Sequence, residues 1–346
     1  MTSAPEIRFV PVGLRRVAYA VTGDGPPLVA PAWWVSHLEL DWATDAFREF
    51  WHTVGEGHTV VRYDRPGVGL SGRDLLDEDL TLDGEVAVLR AVIDELGVEK
   101  AALLGGSSGG CAAVAFAARF PERVERLLLY GAYADGSSIT SPEVRDALLA
   151  TVRSHWGLGS RVLADLFLGE SGSVEQERYA RYQRAAASPE TAARLLHLVY
   201  RNDVRMEAAE VRAPTLVVHR RGDRAIPYDS GRALAAAIPR ATLVPLDGSA
   251  HFPWAGDAQA VARALRTALV PEPQARIASE RAAVLLSSRE REVLSLVADG
   301  LSDQEIADHL VLSHHTVHRH VANIRHKLGR GSRAAAVAEA ARLGLL

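Results

Sequence analysis

Cysteine is almost absent from the 346-residue chain, because Cys111 is its single example. A lone cysteine excludes an internal disulfide and is typical of a protein in a reducing compartment. Long apolar runs are also missing, so the sequence predicts no membrane span. Residues 1–6 lack the basic start and apolar core of a signal peptide. Together these absences predict a cytoplasmic protein with no membrane partner.

The chain as a whole has no excess of positive charge, because its formal net charge is −4. The charge is unevenly distributed, however. Residues 311–346 contain six lysine or arginine residues and one glutamate, a net charge of +5, which leaves −9 for the remainder. An acidic body with a basic segment favours contact with DNA through that segment alone.

The first 270 residues alternate between short apolar runs and helical patterns. The apolar runs are predicted strands and lie at 28–30, 59–63, 101–104, 124–130, 215–218 and 241–246. Helical patterns such as Leu82–Leu96 and Cys111–Arg119 separate them. This alternation predicts an α/β fold with a doubly wound, mostly parallel sheet. Residues 137–208 interrupt it with successive helical patterns, which predict a helical cap over the carboxyl edge of the sheet.

Two prolines within three residues, Pro271 and Pro273, indicate a linker over 271–283. The linker separates a predicted first domain, 1–270, from a predicted second domain, 284–346. A chain of 346 residues, of which 48% are hydrophobic, is long enough for one large and one small domain.

The pentapeptide Gly105–Gly109 follows directly after one of the predicted strands. A strand, then G-x-S-x-G, then a helix is the context of a nucleophile elbow, in which a sharp turn exposes a serine. The motif fits Ser107 and also, one residue later, Ser108. Ser107 is preferred, because Leu104 then ends the strand and the first glycine opens the turn. A glycine–serine turn without chemistry is the competing interpretation.

An elbow serine needs an acid and then a histidine later in the chain. Asp223 and His251 each follow one of the last two predicted strands, at the edge of the sheet where Ser107 emerges. His251 is predicted to accept the proton of Ser107, and Asp223 to orient the imidazole. Weaker alternatives are Asp229 and Asp247 as the acid and His219 as the base.

Over residues 10–270 the chain resembles the α/β-hydrolase superfamily. Besides the elbow, Tyr63–Ser71 looks like the family's D-x-x-G-x-G-x-S loop, and Phe120–Val124 matches the segment after the elbow helix. The resemblance implies a mostly parallel sheet with a helical cap and a serine, acid and histidine triad. It does not by itself imply turnover, because several hormone receptors with this fold keep the triad.

The resemblance also implies an oxyanion hole, with one N–H group from Ser108 and the other from the loop after the first predicted strand. Trp33 and Trp34 stand in that loop, where the family usually has His-Gly, and either backbone can supply the second donor. Two indoles at the mouth favour a flat or apolar ligand. The residues predicted to line the ligand pocket are Trp33, Trp34, Trp156 and Tyr179.

Three capped helices are predicted after residue 284. Ser287–Glu290 and Ser302–Glu305 are capping boxes, and Ser313 caps the third helix. Val317, Val321, Ile324 and Leu328 then share one apolar face of the third helix. Two short helices joined by a tight turn predict a small all-α helix–turn–helix domain.

The segment 284–346 resembles the LuxR/FixJ-type DNA-binding domain through motifs such as Arg289–Leu294, Glu305–Ala307 and Lys327–Gly329. The resemblance implies promoter DNA as a partner and a homodimer formed through the last helix, about 333–343. His318 and Ala322 stand where lysines are common in some members, so operator contacts do not carry over. The predicted DNA-binding residues are His315, Thr316, His318, Arg319, Ala322, Asn323 and His326, with Lys327, Arg330 and Arg333 placed for phosphates.

Five histidines lie within 314–326, and His314 and His318 have the helical spacing of metal ligands. Neither has a neighbouring cysteine or carboxylate in the sequence, so histidines facing DNA or solvent are predicted rather than a metal site. No cofactor is predicted.

Joining the two halves predicts a transcription regulator whose first domain binds a small apolar ligand similar to an ester or lactone. An active ester or lactone hydrolase with an appended DNA-binding domain is the alternative. A third interpretation, in which the second domain only oligomerises, is disfavoured by Arg319 and by the charge of +5.

Overall fold

The chain divides into two structural units, Met1–Leu269 and Val270–Leu346. The computed structural model describes residues 5–169, 171–269, 286–328 and 330–342. The predicted linker 271–283 and the predicted domain boundary lie outside the described residues.

One sheet organises the first unit. Within the described residues it has eight strands, in the order β1-β2-β4-β3-β5-β6-β7-β8. The strands are β1 Glu6–Val12, β2 Arg15–Thr22, β3 Pro27–Ala30, β4 Thr59–Tyr63, β5 Ala101–Gly106, β6 Val124–Tyr130, β7 Thr215–Arg220 and β8 Ala241–Leu246. β2 runs antiparallel to β1 and β4, and the other pairs are parallel. The prediction of a mostly parallel sheet is confirmed.

The hairpin of β1 and β2 was missed by the sequence analysis. Val10 is the one residue of β1 that is buried, and the side chains of the rest of this edge strand are exposed or half-buried. A search for continuous apolar runs therefore passes over it, because such runs mark strands that are covered on both faces.

Helices cover both faces of the sheet. In the first unit they are α1 Leu38–Trp42, α2 Asp45–Val54, α3 Leu82–Glu95, α4 Ser107–Arg119, α5 Pro142–Ser154, α6 Trp156–Leu168, α7 Ser173–Ala186, α8 Pro189–Arg201, α9 Arg205–Glu210, α10 Tyr228–Ala237 and α11 Ala258–Leu269. The helical patterns predicted within 137–208 appear as α5 to α9. None of the helices in the described ranges has both the length and the apolarity to cross a membrane.

The central strand β5 shows why the sheet needs two covering layers. All six of its residues are buried. Leu103 and Leu104 belong to two different apolar clusters, because successive residues of a strand point to opposite faces. α4 and its Phe116 cover the first face, and α2 and its Trp51 cover the second.

The second unit is a small helical domain with a core of its own. Its helices are α12 Ser288–Ala298, α13 Asp303–Leu310, α14 His314–Lys327 and α15 Arg333–Arg342. The capping boxes of Ser287 and Ser302 are confirmed, and the Ser313 hydroxyl accepts a hydrogen bond from the backbone of Thr316. The core contains apolar residues from all four helices, among them Leu294, Ile306, Val317, Ile324 and Ala336.

A strained residue ends α13. Val311 adopts a left-handed conformation, with φ 53° and ψ 51°, and its side chain is 91% exposed. This conformation suits glycine and is unfavourable for a β-branched residue, and no packing offsets the strain here.

We expect Val311→Gly to stabilise the second unit by roughly 0.5–1 kcal/mol, after allowing for the extra freedom that glycine gives the unfolded chain. Thermal unfolding of a 284–346 fragment measures this change. Val311→Ala is the matched control and should gain less, since it keeps a Cβ atom. A lower melting temperature for the glycine variant would contradict the expectation.

Candidate functional site

Six parallel strands bring their carboxyl ends to one edge of the sheet. Polar side chains follow three of them: Ser107 after β5, Asp223 after β7 and His251 after β8. In open α/β sheets this edge is where ligands bind. The candidate site is therefore built by the loops at the ends of these strands.

Ser107 occupies a sharp turn between β5 and α4. Its φ is +49°, and Val311 is the one other non-glycine residue with positive φ in the described part of the chain. Ser107 is also the first residue of α4, where free backbone N–H groups and the helix dipole favour negative charge. The turn needs glycine at 105, because a Cβ atom there would lie 2.8 Å from the Cα of Gly110.

Ser108 has a different environment from Ser107. Its hydroxyl donates to the carbonyl of Trp33 at 2.6 Å and accepts from Arg65 Nη2 at 3.0 Å. Arg65 in turn pairs with the buried Glu85 at 2.8 Å. The Ser108 hydroxyl is thus held in a buried hydrogen-bond network that ties α4 to the loop of Trp33.

His251 and Asp223 meet at the edge of the sheet. His251 Nδ1 lies 2.8 Å from Asp223 Oδ2, and both residues are buried. Asp223 Oδ1 accepts the backbone N–H groups of Ala225 and Ile226 at 2.9 and 3.0 Å. Burial alone would raise the pKa of the Asp223 carboxyl, but His251, His219 and the backbone N–H of Ile226 outweigh it and lower the pKa. An ionised Asp223 can hold the Nδ1–H tautomer of His251.

The loop that carries His251 is fixed by a buried arginine. Arg220, at the end of β7, donates to the carbonyls of Ala250, Phe252, Ala255 and Asp257 at 2.6–3.1 Å. The backbone N–H of His251 also donates to the carbonyl of Phe167, in α6, at 2.8 Å. Strand and cap together position the imidazole.

The weaker candidates are placed differently. His219 is fully buried, its Nε2 lies 3.0 Å from the Ile226 carbonyl, and burial lowers its pKa. It stands 3.6 Å from Asp223, beside the pair rather than facing solvent. Asp229 pairs with Arg232 on the surface, and Asp247 is exposed. Neither carboxylate is recorded in a contact with His251 within the described residues.

The loop predicted to supply an oxyanion donor carries Trp33 and Trp34, and both indole rings contact neighbouring residues. The ring of Trp33 lies against Gly106, where any Cβ atom would overlap it. Trp33 also stacks on Tyr130 and Trp254, with ring centres 6.1 and 5.6 Å apart. Trp34 Nε1 donates to Gln183 of α7 at 3.0 Å, which links the loop to the cap.

A cavity of ≈ 240 Å³ opens beside this loop. Trp33, Trp34 and Tyr179 are among its lining residues, whereas Ser107 and His251 are not among the described residues that line it. Trp156, which was predicted to line the ligand pocket, is not among the described residues that line this cavity. Its side chain packs into the core, and its Nε1 donates to the Ala187 carbonyl at 3.1 Å.

Several polar residues of this cavity were not predicted from the sequence, among them Asp41, Arg62 and Tyr182. The Tyr182 hydroxyl donates to Asp41 Oδ1 at 2.6 Å, joining α7 to α1. Arg62 is a charged residue inside the apolar run 59–63 that forms β4. The sequence could have pointed to Arg62, because a charged residue is unusual in a strand that is buried on both faces.

The second unit presents α14 as a surface helix. Its apolar face is buried as predicted, through Val317, Val321 and Ile324. Thr316 is half-buried and its hydroxyl lies 2.8 Å from Ser313 Oγ. The other predicted base-facing residues are exposed, and they are His315, His318, Arg319, Ala322, Asn323 and His326.

Three cations predicted for phosphates have partners inside the unit. Lys327 pairs with Glu290 at 2.7 Å, Arg330 with Glu339 at 2.6 Å, and Arg333 with Asp303. Asp303 also lies 3.2 Å from His318 Nδ1, a carboxylate neighbour that the sequence spacing did not reveal. No ion pair is recorded for Arg319 within 286–328 and 330–342, so it is available for an outside partner.

Family models match both units. A model of the luxR family of bacterial regulatory proteins matches residues 284–340. A model of the alpha/beta hydrolase fold matches residues 42–210, and a model of TAP-like proteins matches residues 197–274.

Similar proteins are hydrolases. The chain is 30% identical over 218 residues to 2-hydroxy-6-oxo-6-phenylhexa-2,4-dienoate hydrolase from Burkholderia cepacia, which covers 60% of this chain and 75% of that protein. It is 32% identical over 219 residues to a 2-hydroxy-6-oxononadienedioate/2-hydroxy-6-oxononatrienedioate hydrolase from Comamonas testosteroni, with the same coverage. A solved hydrolase from Pseudomonas aeruginosa shares the fold, with a TM-score of 0.66, 24% identity, and coverage of 78% of this chain and 100% of that one.

Proposed function

Because the chain belongs to the α/β-hydrolase family and carries a LuxR-family DNA-binding domain, we propose that it is a ligand-responsive transcription regulator. The first unit binds a small molecule, and the second binds promoter DNA as a homodimer. The observation that carries this proposal is the presence of both units in one chain.

The surface of α14 supports DNA binding by the second unit. Its exposed side includes Arg319, Asn323 and several histidines, which have the donors and acceptors that read base edges in the major groove. The acidic side chains of the unit lie mostly in α12 and α13, so positive charge is concentrated on α14 and the residues after it. In the proposal, α14 enters the groove and α15 pairs two chains.

A second candidate function is serine hydrolysis of an ester or lactone. The strained turn at Ser107 and the 2.8 Å contact between His251 and Asp223 favour it. In this proposal, His251 takes the proton of the Ser107 hydroxyl, and Asp223 stabilises the imidazolium. The oxyanion is held by the backbone N–H of Ser108 and one from the loop of Trp33 and Trp34. Slow cleavage of the signal is compatible with regulation.

The test is whether a ligand changes the affinity for an operator. Compounds that raise the melting temperature of the full chain are found first, and an operator is selected from genomic DNA. We expect a stabilising compound to change operator affinity by roughly 5- to 150-fold, the usual range of coupling between two sites. The Ser107→Ala variant serves as the control, because it keeps the regulation while it blocks cleavage.

If no stabilising compound changes operator affinity, and the chain cleaves these compounds, the hydrolase function replaces the regulatory one. A variant with a long Gly/Ser segment at 271–274 separates two mechanisms of regulation. If ligand shifts operator affinity equally with both linkers, the spacing of the two DNA-binding units is not the means of control.

A further inference from the structure

Arg62 is a buried cation whose hydrogen-bonding capacity is not met by the described residues. The residue is 5% exposed and lines the cavity of ≈ 240 Å³. Its Nε and Nη2 atoms are buried and have no hydrogen-bond partner among the described residues. Native proteins rarely leave such groups unpaired, because a buried charge without partners is strongly destabilising.

Aromatic rings hold the guanidinium in place without neutralising it. Its central carbon lies 5.1, 4.9 and 5.8 Å from the ring centres of Trp42, Phe47 and Trp51. Cation–π contacts stabilise a cation, but they do not accept its N–H groups in the plane of the guanidinium.

The neighbouring carboxylates are already engaged elsewhere. Asp64 accepts from the Ser36 hydroxyl and from two backbone N–H groups. Asp41 accepts hydrogen bonds from the Tyr182 hydroxyl and from the backbone N–H of His37. No carboxylate oxygen among the described residues lies within 4 Å of the Arg62 guanidinium nitrogens. Burial raises the pKa of Asp41 to about 7, so this carboxyl carries only part of its charge at neutral pH.

Two other buried arginines show how this fold satisfies such a side chain. Arg65 pairs with Glu85 and donates to Ser108, and Arg220 donates to four backbone carbonyls. Arg62 has an equally buried position with neither kind of partner.

We propose that this cavity binds a small planar monocarboxylate, whose carboxylate pairs with Arg62. The apolar body of the ligand lies against the cavity's aromatic walls, which are formed by Trp33, Trp34, Tyr179, Phe252 and Trp254. The volume suits one ring with a short chain rather than a large ligand. The ligand is the signal of the proposed regulator, so this inference rests on the proposed function.

The geometry also explains why a carboxylate suits the site. A guanidinium and a carboxylate form short, charge-assisted hydrogen bonds, and the planar fork of arginine matches the two oxygens. Most of the Arg62 side chain is already removed from water before the ligand arrives, because the residue is only 5% exposed. Binding therefore requires little new desolvation of the protein at this residue, which favours affinity.

Calorimetry of the full chain with matched acids and amides tests the proposal. The probes are the planar acids trans-cinnamate, benzoate and sorbate, each with its carboxamide. We expect at least one acid to bind, with its amide weaker by about tenfold or more, because the amide has the same shape without the charge. Quenching of tryptophan fluorescence provides a second readout, since four tryptophans line the cavity.

Three variants locate the site. Arg62→Met removes the charge and fits an aromatic surrounding, and we expect it to lose the preference for acid over amide. Arg62→Lys keeps the charge and should bind the acid more weakly than the wild type but still prefer it to the amide. Arg212→Ala, at an exposed position of the same unit, is the matched control and should bind the acid as the wild type does. Thermal unfolding checks that the Arg62 variants are folded.

The proposal is overturned if no acid of the panel binds, or if each amide binds as well as its acid. It is also overturned if Arg62→Met leaves the acid's affinity unchanged, or if Arg212→Ala lowers that affinity as much as Arg62→Met does. Operator affinity is measured separately with the bound acid present. Binding through Arg62 without any change in operator affinity would refute ligand-responsive regulation and leave the carboxylate site standing.

Discussion

Ser107→Ala is expected to abolish labelling of the chain by a fluorophosphonate and to lower any ester or lactone turnover by roughly a thousandfold or more. The reason is that the strained turn places this hydroxyl, and not its neighbour, at the start of α4. Mass spectrometry of the labelled peptide identifies the modified serine, and initial rates with a chromogenic ester measure the turnover.

Ser108→Ala is the matched control, because it removes the adjacent hydroxyl. Labelling at Ser107 should survive this change, although the protein loses the hydrogen bonds to Trp33 and Arg65. His251→Ala should reduce turnover as Ser107→Ala does, with little further loss when the two are combined, since the residues act as a unit. Labelling of Ser108, or additive losses in the double variant, would contradict the assignment.

Truncation after residue 269 is expected to lower operator affinity by more than about a hundredfold, whereas a 284–346 fragment keeps measurable binding. The fragment has a complete apolar core of its own, and the exposed cations of α14 lie within it. Fluorescence anisotropy with labelled operator measures both. The fragment's affinity should fall steeply with salt, because each phosphate contact releases counterions.

Arg319→Ala in the full chain tests DNA binding by the second unit at a single side chain. It should weaken operator binding by roughly 1–3 kcal/mol if the side chain contacts a base, and the salt dependence should change little. Arg212→Ala, at an exposed position of the first unit, is the matched control and should have no effect. Equal DNA affinity in the two separated units would refute the division of labour.

Local patterns allowed much of the fold to be predicted. The six apolar runs became β3 to β8. A search for such runs detects strands that are covered on both faces, and β5 is the clearest example. The capping boxes at Ser287 and Ser302 were confirmed, because a cap depends on residues three positions apart. Such short-range patterns can be recognised in the sequence without knowledge of the rest of the molecule.

The features that escaped prediction depend on contacts between distant segments. Arg62 has no ion-pair partner among the described residues, although Asp41 and Asp64 are near enough to act on its charge, and no spacing in the sequence reveals that. Trp156 and Tyr179 are both aromatic residues of the predicted cap, yet Trp156 packs in the core and Tyr179 lines a cavity. The pairing of Lys327 with Glu290 spans 37 positions, so its availability for phosphates was not evident beforehand.

The contact of Trp33 with Gly106 has an evolutionary consequence. A residue with a Cβ atom at position 106 would overlap the indole, so it requires a smaller residue at position 33. A smaller residue at 33 alone would leave a void beside Tyr130 and Trp254. Each single step is unfavourable, and the two positions are therefore epistatic. Descendants of this chain should keep the pair together or exchange both members, and an alignment of its close homologues should show them covarying.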